Sequence, residues 1–233
     1  MTPDPGTMGT VGLVALAVGV SAAALVSWLR AGGMRVAYTR KLFHFAVFTT
    51  AAVVHTRWGL PGAMVYGSVT ASIVLLAVWR GEGNPLYEAM ARDTDRPHRT
   101  MFILIPLFTT AVGGLAAALL AGPYAAVGYL AAGWGDAVGE PVGSRWGRHP
   151  YRVPSLAGVP ATRTWEGSSA VFLVASLGST LALSSIGGAP WWGGVLCGLV
   201  AAVVEGVSNH GLDNLTVQLV PSLVAAVLFG GMA

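Results

Sequence analysis

The segment from Gly133 to Ala170 concentrates the residues of this chain that could do chemistry. Small and charged side chains recur there at intervals of four, as a glycine row of Gly135, Gly139, Gly143 and Gly147 and a polar row of Asp136, Glu140, Ser144 and Arg148. Residues four apart share one face of a helix, so a helix here would carry a glycine ridge beside a charged ridge. Glycine permits close helix packing, and it also lets backbone N–H groups approach phosphate oxygens. With Arg145 and Arg148 following at once, the pattern predicts a nucleotide site.

Carboxylates are scarce in this chain, and three of the ten, Asp136, Glu140 and Glu166, fall in the same segment. In an apolar span that begins near Tyr124, Asp136 would lie about 18 Å deep at ~1.5 Å per residue. A carboxylate at such depth costs ~2.5–3.5 kcal/mol to insert, so we expect it to face a polar cavity with a partner. Oxygen ligands of this kind suit Mg²⁺ that bridges substrate phosphates.

Two more segments carry polar groups at the ends of apolar runs. Arg40, Lys41 and His44 can share one helical face, and the position of His44 inside an apolar run favours an anion site. The turn from Glu205 to Asn214 is acidic and has no basic residue, which predicts a bound cation. The candidate metal ligands are therefore Asp136, Glu140, Glu166, Glu205 and Asp213.

The composition indicates a helical membrane protein. The 233 residues are 54% hydrophobic and only 10% charged, whereas soluble domains carry about 25% charged residues. We predict an all-α, polytopic protein with one membrane-embedded domain over residues 1–233. The net charge of +3 comes from basic residues that flank apolar runs, which indicates orientation in the membrane and not nucleic-acid binding. The only cysteine is Cys197 and the only lysine is Lys41, which excludes an intrachain disulfide and a P-loop.

Apolar runs predict about eight transmembrane helices. They are Met8–Leu29, Leu42–Thr56, Leu60–Trp79, Met101–Ala121, Tyr124–Gly143, Gly167–Ile186, Trp191–Val207 and Leu215–Gly231. In this topology the segments Arg30–Lys41, Arg80–Arg99 and Arg145–Arg163 share one side and hold twelve of the thirteen Lys and Arg residues. The positive-inside rule makes that side cytoplasmic and places the N-terminus outside. We interpret Gly81–Arg99, with its mixed charges, as a solvated surface loop.

Four segments together resemble the CTP-dependent lipid kinases, the family that includes dolichol kinase and phytol kinase. The matching residues, spread over residues 40–220, are Arg40-Lys41-x-x-His44, Gly135-Asp136-Ala137 with Gly143 and Gly147, Arg163-Thr-Trp-Glu166-Gly167-Ser168, and Asp213-Asn214. The chain departs from the family pattern at Glu140, where many members carry a small or neutral residue, and at Arg163, where lysine is common.

The resemblance implies transfer of a phosphoryl group from CTP to the hydroxyl of a membrane lipid alcohol, with Mg²⁺, at the cytoplasmic face of the cell (inner) membrane. The catalytic residues that it implies are Asp136, Asp213 and His44, and either aspartate could orient or deprotonate the hydroxyl. The implied nucleotide-binding residues are Arg40, Lys41, Gly143, Arg145, Gly147, Arg148, Arg163, Thr164, Gly167 and Asn214. The acceptor stays open among phytol, polyprenol, dolichol-like and diacylglycerol substrates.

Two other classes share parts of the pattern. Cytidylyltransferases that resemble CDP-diacylglycerol synthase also carry Gly-x-x-x-Gly-Arg and Lys-Thr-x-Glu-Gly, but their later basic elements have no counterpart in residues 201–233. An ion-coupled transporter could use Asp136 and Glu140 as an ion site. The inverted repeats of such transporters are not recognisable in this sequence, and its polar groups gather at one face.

Overall fold

The computed structural model describes residues 4–154, 161–187, 190–209 and 211–230, and it is all-α, with 84% of it helical. The helices of the described residues are α1 Pro5–Ala31, α2 Val36–Arg80, α3 Pro85–Met90, α4 Met101–Ala121, α5 Ala125–Leu130, α6 Ala137–Trp146, α7 Trp165–Ile186, α8 Trp191–Val207 and α9 Asp213–Phe229. Two short strands, β1 Pro150–Val153 and β2 Ala161–Thr164, pair antiparallel between α6 and α7. The all-α prediction is confirmed, although no pattern in the sequence predicted this strand pair.

Helix α2 is a helical hairpin. Its break is at Gly59, whose φ of 61° and ψ of −156° lie outside the helical region and suit glycine. The Tyr66 hydroxyl donates a hydrogen bond of 3.1 Å to the carbonyl oxygen of Val47. In one straight helix these residues would be about 28 Å apart, so the two halves of α2 must lie antiparallel. The halves correspond to the second and third apolar runs of the sequence.

A second hairpin joins α4 to the helices that follow it. The chain turns at Gly122, where φ is 55°, and the Tyr129 hydroxyl donates a hydrogen bond of 2.8 Å to the carbonyl oxygen of Gly114. From Ala125 the chain continues through α5, a π-helical turn at Ala131–Asp136, and α6. Such turns inside helices are frequent at functional sites, and this one ends at a charged residue.

Length and composition mark four helical segments of the described chain as long and apolar enough to cross a membrane. They are Pro5–Ala31, Val36–Arg80, Met101–Trp146 and Trp165–Ile186, with α8 and α9 as shorter apolar helices. This finding supports a helical membrane protein. The described residues thus give four candidate segments where the sequence predicted eight spans, and two of the four are the hairpins.

Close packing against α5 and the π-helical turn fixes the centre of the bundle. Every residue of α5 is buried. A Cβ on Gly128 would lie 1.8 Å from the carbonyl oxygen of Gln218, so only glycine lets α9 approach α5 so closely. A Cβ on Gly133 would lie 2.2 Å from the Cβ of Phe48, so the close approach of α2 to the π-helical turn also requires glycine. These contacts bring the polar ends of α2 and α9 to Asp136.

The segment Gly81–Arg99 lies partly inside the bundle, so its interpretation as a solvated surface loop was wrong for α3 and Arg99, although Glu82 and Asp93 are exposed. Helix α3 within it buries Leu86 and Tyr87. Arg99 is also buried, and it donates hydrogen bonds to Glu82, Glu88 and the carbonyl oxygen of Ala91. The segment is ordered because one guanidinium donates hydrogen bonds to several acceptors at once. The order of charges along the sequence does not show which of them will pair.

Candidate active site

The first part of the candidate site is formed where α2 packs against the π-helical turn. The Nζ atom of Lys41 lies 2.7 Å from Oδ1 of Asp136, and Nε2 of His44 lies 3.6 Å from Oδ2 of the same carboxylate. The ring of His44 stacks on Phe48 with 4.2 Å between the ring centroids. A deep carboxylate needs such compensation, and α2 supplies it from two residues on one face.

Three carboxylates converge at the centre of the site. Asp136 from the π-helical turn, Glu205 from α8 and Asp213 from α9 each offer an oxygen atom, and these atoms all lie within 4.8 Å of one another. Glu205 and Asp213 are buried. Like charges this close repel, and burial removes their hydration, so the group requires cations around it. Carboxylate oxygens in this arrangement are a donor set that suits a hard divalent cation.

The strand pair supplies the opposing cation. Arg163 on β2 donates a hydrogen bond of 2.9 Å to Oδ2 of Asp213 and forms an ion pair with Glu205. Burial alone would lower the pKa of the Arg163 guanidinium, but the carboxylates of Glu205 and Asp213 outweigh burial and raise that pKa above its usual value. Arg163 therefore stays charged. Its register partner Tyr151 ties the strands to α7 through a hydrogen bond of 2.6 Å between its hydroxyl and that of Ser168.

A fourth carboxylate, Glu140, lies beside the central group but has cation partners of its own. Its Oε2 atom is 3.7 Å from Nζ of Lys41, and its Oε1 atom accepts a hydrogen bond of 2.9 Å from Arg92. Arg92 also donates a hydrogen bond of 3.1 Å to Asp95. Glu140 therefore links Lys41 to the ordered segment between α2 and α4, and Arg92 is a site neighbour that the sequence analysis missed. One sequence carries no signal for it, because arginines in mixed-charge segments show no periodicity.

The glycine ridge packs against the start of α7. A Cβ on Gly143 would lie 2.9 Å from Oγ1 of Thr164, and a Cβ on Gly139 would lie 2.7 Å from Cγ2 of Val171. Thr164 in turn caps α7 by accepting a hydrogen bond of 3.1 Å from the backbone N–H of Gly167. This packing accounts for the four-residue spacing of the glycines, and it positions the strand that carries Arg163.

The other residues that the sequence analysis selected lie outside the three converging acids, most of them at the rim. The carboxylate of Glu166 accepts hydrogen bonds from the His149 side chain, at 2.7 Å, and from its backbone N–H, and it is not one of the three converging acids. Arg145 and Arg148 are exposed, and the guanidinium of Arg145 stacks over the ring of Trp146. Asn214 faces inward, where its side-chain amide donates a hydrogen bond of 3.0 Å to Thr110.

An elongated cavity of about 350 Å³ lies in the apolar part of the bundle, and one end of it reaches His44, the neighbour of Asp136. Arg40, His44 and Asn214 line its polar end, and its walls come from both halves of α2, from α4 and from α9. The Nη1 atom of Arg40 is buried and has no hydrogen-bond partner among the described residues. A buried cationic donor without a partner is costly, so it fits an anionic or hydroxyl group of a ligand at this end.

The fold and site define a helical membrane protein in which buried carboxylates and cations meet beside one end of an apolar cavity. The chain is 32% identical over 194 residues to the phytol kinase of Synechocystis sp., and the matched region covers 80% of this chain and 77% of that protein. No protein-family model and no solved structure matches the chain. The chain belongs to the lipid kinase family that includes phytol kinase. This similarity does not favour the cytidylyltransferase alternative.

Proposed function

We propose that this protein transfers the γ-phosphoryl group of CTP to the hydroxyl of a membrane lipid alcohol such as phytol or a polyprenol. The observation that carries the proposal is a group of three carboxylates, Lys41 and Arg163 beside the polar end of an apolar cavity, where His44 lines the cavity and neighbours Asp136. A lipid kinase must bring a charged nucleotide and an apolar acceptor to one point. The similarity to phytol kinase supports a lipid alcohol as that acceptor.

We further propose that Asp136, Glu205 and Asp213 hold Mg²⁺. Their carboxylate oxygens fit a hard divalent cation, which would offset charge on the β- and γ-phosphates of the nucleotide. Glu140 and Glu166 were also candidate ligands in the sequence, but their contacts with Arg92 and His149 favour positioning roles for them.

The proposed nucleotide contacts divide into an inner and an outer set. Lys41 and Arg163 already contact the carboxylates, and with Arg40 they would contact phosphate oxygens in the interior. The exposed Arg145 and Arg148 would contact the nucleotide at the rim. The remaining candidates for nucleotide binding from the sequence are Gly143, Gly147, Thr164, Gly167 and Asn214.

In the proposed reaction the alcohol oxygen attacks the γ-phosphorus, and the bond from that phosphorus to the oxygen bridging to the β-phosphate breaks. CDP leaves, and the hydroxyl proton passes to the carboxylate of Asp136. His44 lines the cavity and lies 3.6 Å from Asp136, so it would orient the hydroxyl toward that carboxylate. Because phosphoryl transfer has a loose transition state, positioning and charge stabilisation would supply most of the rate enhancement.

The proposal includes eight membrane crossings in one domain, with the N-terminus outside and the site facing the cytoplasm of the cell membrane. Its support is that the three basic segments meet at one end of the bundle. The Arg30 side chain donates a hydrogen bond to the carbonyl oxygen of Glu88, and Arg92 reaches Glu140. Cysteines introduced at exposed Asp93 and Gly187 should be labelled from opposite sides in sealed vesicles, because buried Cys197 gives little background. Labelling from the same side would contradict this topology.

The activity is tested with the purified protein, CTP labelled at the γ-phosphate and a panel of lipid alcohols. We expect a labelled alkyl phosphate and CDP, no product after chelation with EDTA, and recovery with Mg²⁺. ATP, GTP and UTP serve as competing donors in parallel reactions. A CMP-linked lipid with released pyrophosphate would instead establish the cytidylyltransferase.

A further inference from the structure

The cavity beside the charged group has the shape of a channel for one extended chain. Along α4 its lining runs from Phe102 to Leu115, which is about 20 Å at ~1.5 Å per residue. The far end is apolar and includes Leu60 and Leu115, while the near end includes Arg40 and His44. One end therefore suits a hydroxyl group close to the phosphates, and the other suits hydrocarbon.

The exposed residues that line the cavity all lie on the second half of α2 and on α4, which places its opening between these two helices. The residues along this opening are small or exposed, namely Met64, Gly67, Ser68 and Ala71 on α2 and Ala111 and Leu115 on α4. The side chain of Met64 is 55% exposed, and a Cβ placed on Gly67 would meet nothing within 4 Å. The two helices therefore leave a gap at membrane depth, and Gly67 faces that gap.

We propose that this gap is the portal through which the lipid acceptor reaches the site from the bilayer, and that Gly67 and Ala111 set its width. The inference rests on the proposed function, because the hydroxyl end of the occupant is identified by the charged group. The hydrocarbon chain would lie along α4, and chains longer than the cavity would extend through the portal into the bilayer. An acceptor with this path never leaves the membrane.

The test narrows the portal without touching the charged group. Gly67→Leu adds an apolar side chain in open space and replaces glycine with a better helix former, so folding should be preserved. Ala111→Leu narrows the opposite wall as an independent second variant. We expect each to raise KM for phytol roughly tenfold or more, the effect of a blocked apolar pocket, with KM for CTP unchanged. Gly9→Leu is the matched control, because Gly9 in α1 also has nothing within 4 Å and does not line the cavity.

An unchanged acceptor KM in both narrowing variants would overturn the portal while leaving the kinase activity in place. A second measurement separates this result from failure of the proposed function. An alcohol whose chain matches the cavity length of about 20 Å, with a photoreactive group at its far end, should label the peptide around Leu60 and Met64 in the wild-type protein. This labelling should fall in Gly67→Leu whether or not the alcohol is phosphorylated. Labelling confined to other helices would contradict the inference.

Discussion

Two groups of charged side chains, one around Arg99 and one at the candidate site, differ in whether the cation or the carboxylates are shielded from water. At Arg99, one guanidinium whose side chain is 5% exposed meets Glu82 and Asp93, whose side chains are 56% and 70% exposed. At the candidate site the carboxylates are enclosed, with 9% of the Glu205 side chain and 11% of the Asp213 side chain exposed. In both groups an arginine pairs with carboxylates, but only the second brings acids together away from water.

We interpret the group around Arg99 as a structural contact and the converging acids as a candidate for chemistry. Around Arg99 water solvates the carboxylates, so the group costs little and holds the segment between α2 and α4 in place. At the site the acids repel each other and lose hydration, and such an arrangement is typical of places where a ligand supplies the missing compensation. We therefore expect changes of the same chemical type to have unlike effects in the two groups.

The largest contrast is expected between Asp136→Asn and Asp93→Asn. Both remove one negative charge at nearly constant volume, but only Asp136 belongs to the converging acids. We expect Asp136→Asn to lower turnover roughly 10²–10⁴-fold, the usual effect of removing a general base. Asp93→Asn should retain wild-type turnover. Both variants should elute as folded protein in detergent, and full activity of Asp136→Asn would remove it from the site.

A smaller contrast is expected between two arginines of one segment. Arg92→Met removes the contact with Glu140, which should let Glu140 draw Lys41 away from Asp136. Turnover should fall roughly tenfold, as for residues that orient the groups around a metal. Arg96→Met is the control, since Arg96 is 57% exposed and contacts the exposed Glu82. Equal activities of the two variants would show that the link through Glu140 has no catalytic consequence.

Glu166→Gln tests whether a rim carboxylate acts like the enclosed ones. Its partner His149 is 73% exposed, and Glu166 is not one of the three converging acids, so turnover should fall at most about fivefold. Steady-state kinetics with varied Mg²⁺ would measure it. A loss as large as that of Asp136→Asn, with a raised Mg²⁺ requirement, would instead make Glu166 a metal ligand.

The smallest effect on turnover is expected at Arg99. Arg99→Met removes hydrogen bonds to Glu88 and to the carbonyl oxygen of Ala91, so the free energy of unfolding should fall by about 1.5 kcal/mol, a low value for a charged hydrogen bond because water can replace part of it. Thermal unfolding in detergent measures this loss. Turnover below the unfolding temperature should stay at the wild-type level, and a large kinetic defect would contradict the structural role.

The sequence predicted where the long helices lie because apolar runs are a local signal, whereas the count of eight spans stays a prediction. Predicted runs 42–56 and 60–79 fall on the two halves of α2, and the break between them is at Gly59. The strand pair that carries Arg163 was not predicted, since four-residue strands leave little periodicity. The order of the segment Gly81–Arg99 was missed because it depends on contacts with distant residues.

The sequence selected the acids of the candidate site one by one but not their grouping. Asp136 was selected for its depth in an apolar run, and Glu205 and Asp213 for an acidic turn without basic residues; the structure brings the three together. Glu166 was selected as a third acid of the segment from Gly133 to Ala170, and it lies with His149. Which acids meet is decided by helix approach at Gly128 and Gly133, and a single sequence does not encode those distances in any local pattern.

Because Arg145 and Arg148 are exposed, they would affect the rate at which a nucleotide associates with the site. The inner cations Lys41 and Arg163 are already neutralised by carboxylates, so little of their field extends into the solvent. The rim arginines would therefore dominate the long-range attraction of an anion, and this attraction is screened over ~8 Å at physiological ionic strength. Added salt should slow the diffusional capture of nucleotide, while the enclosed steps that follow proceed at a rate that salt does not change.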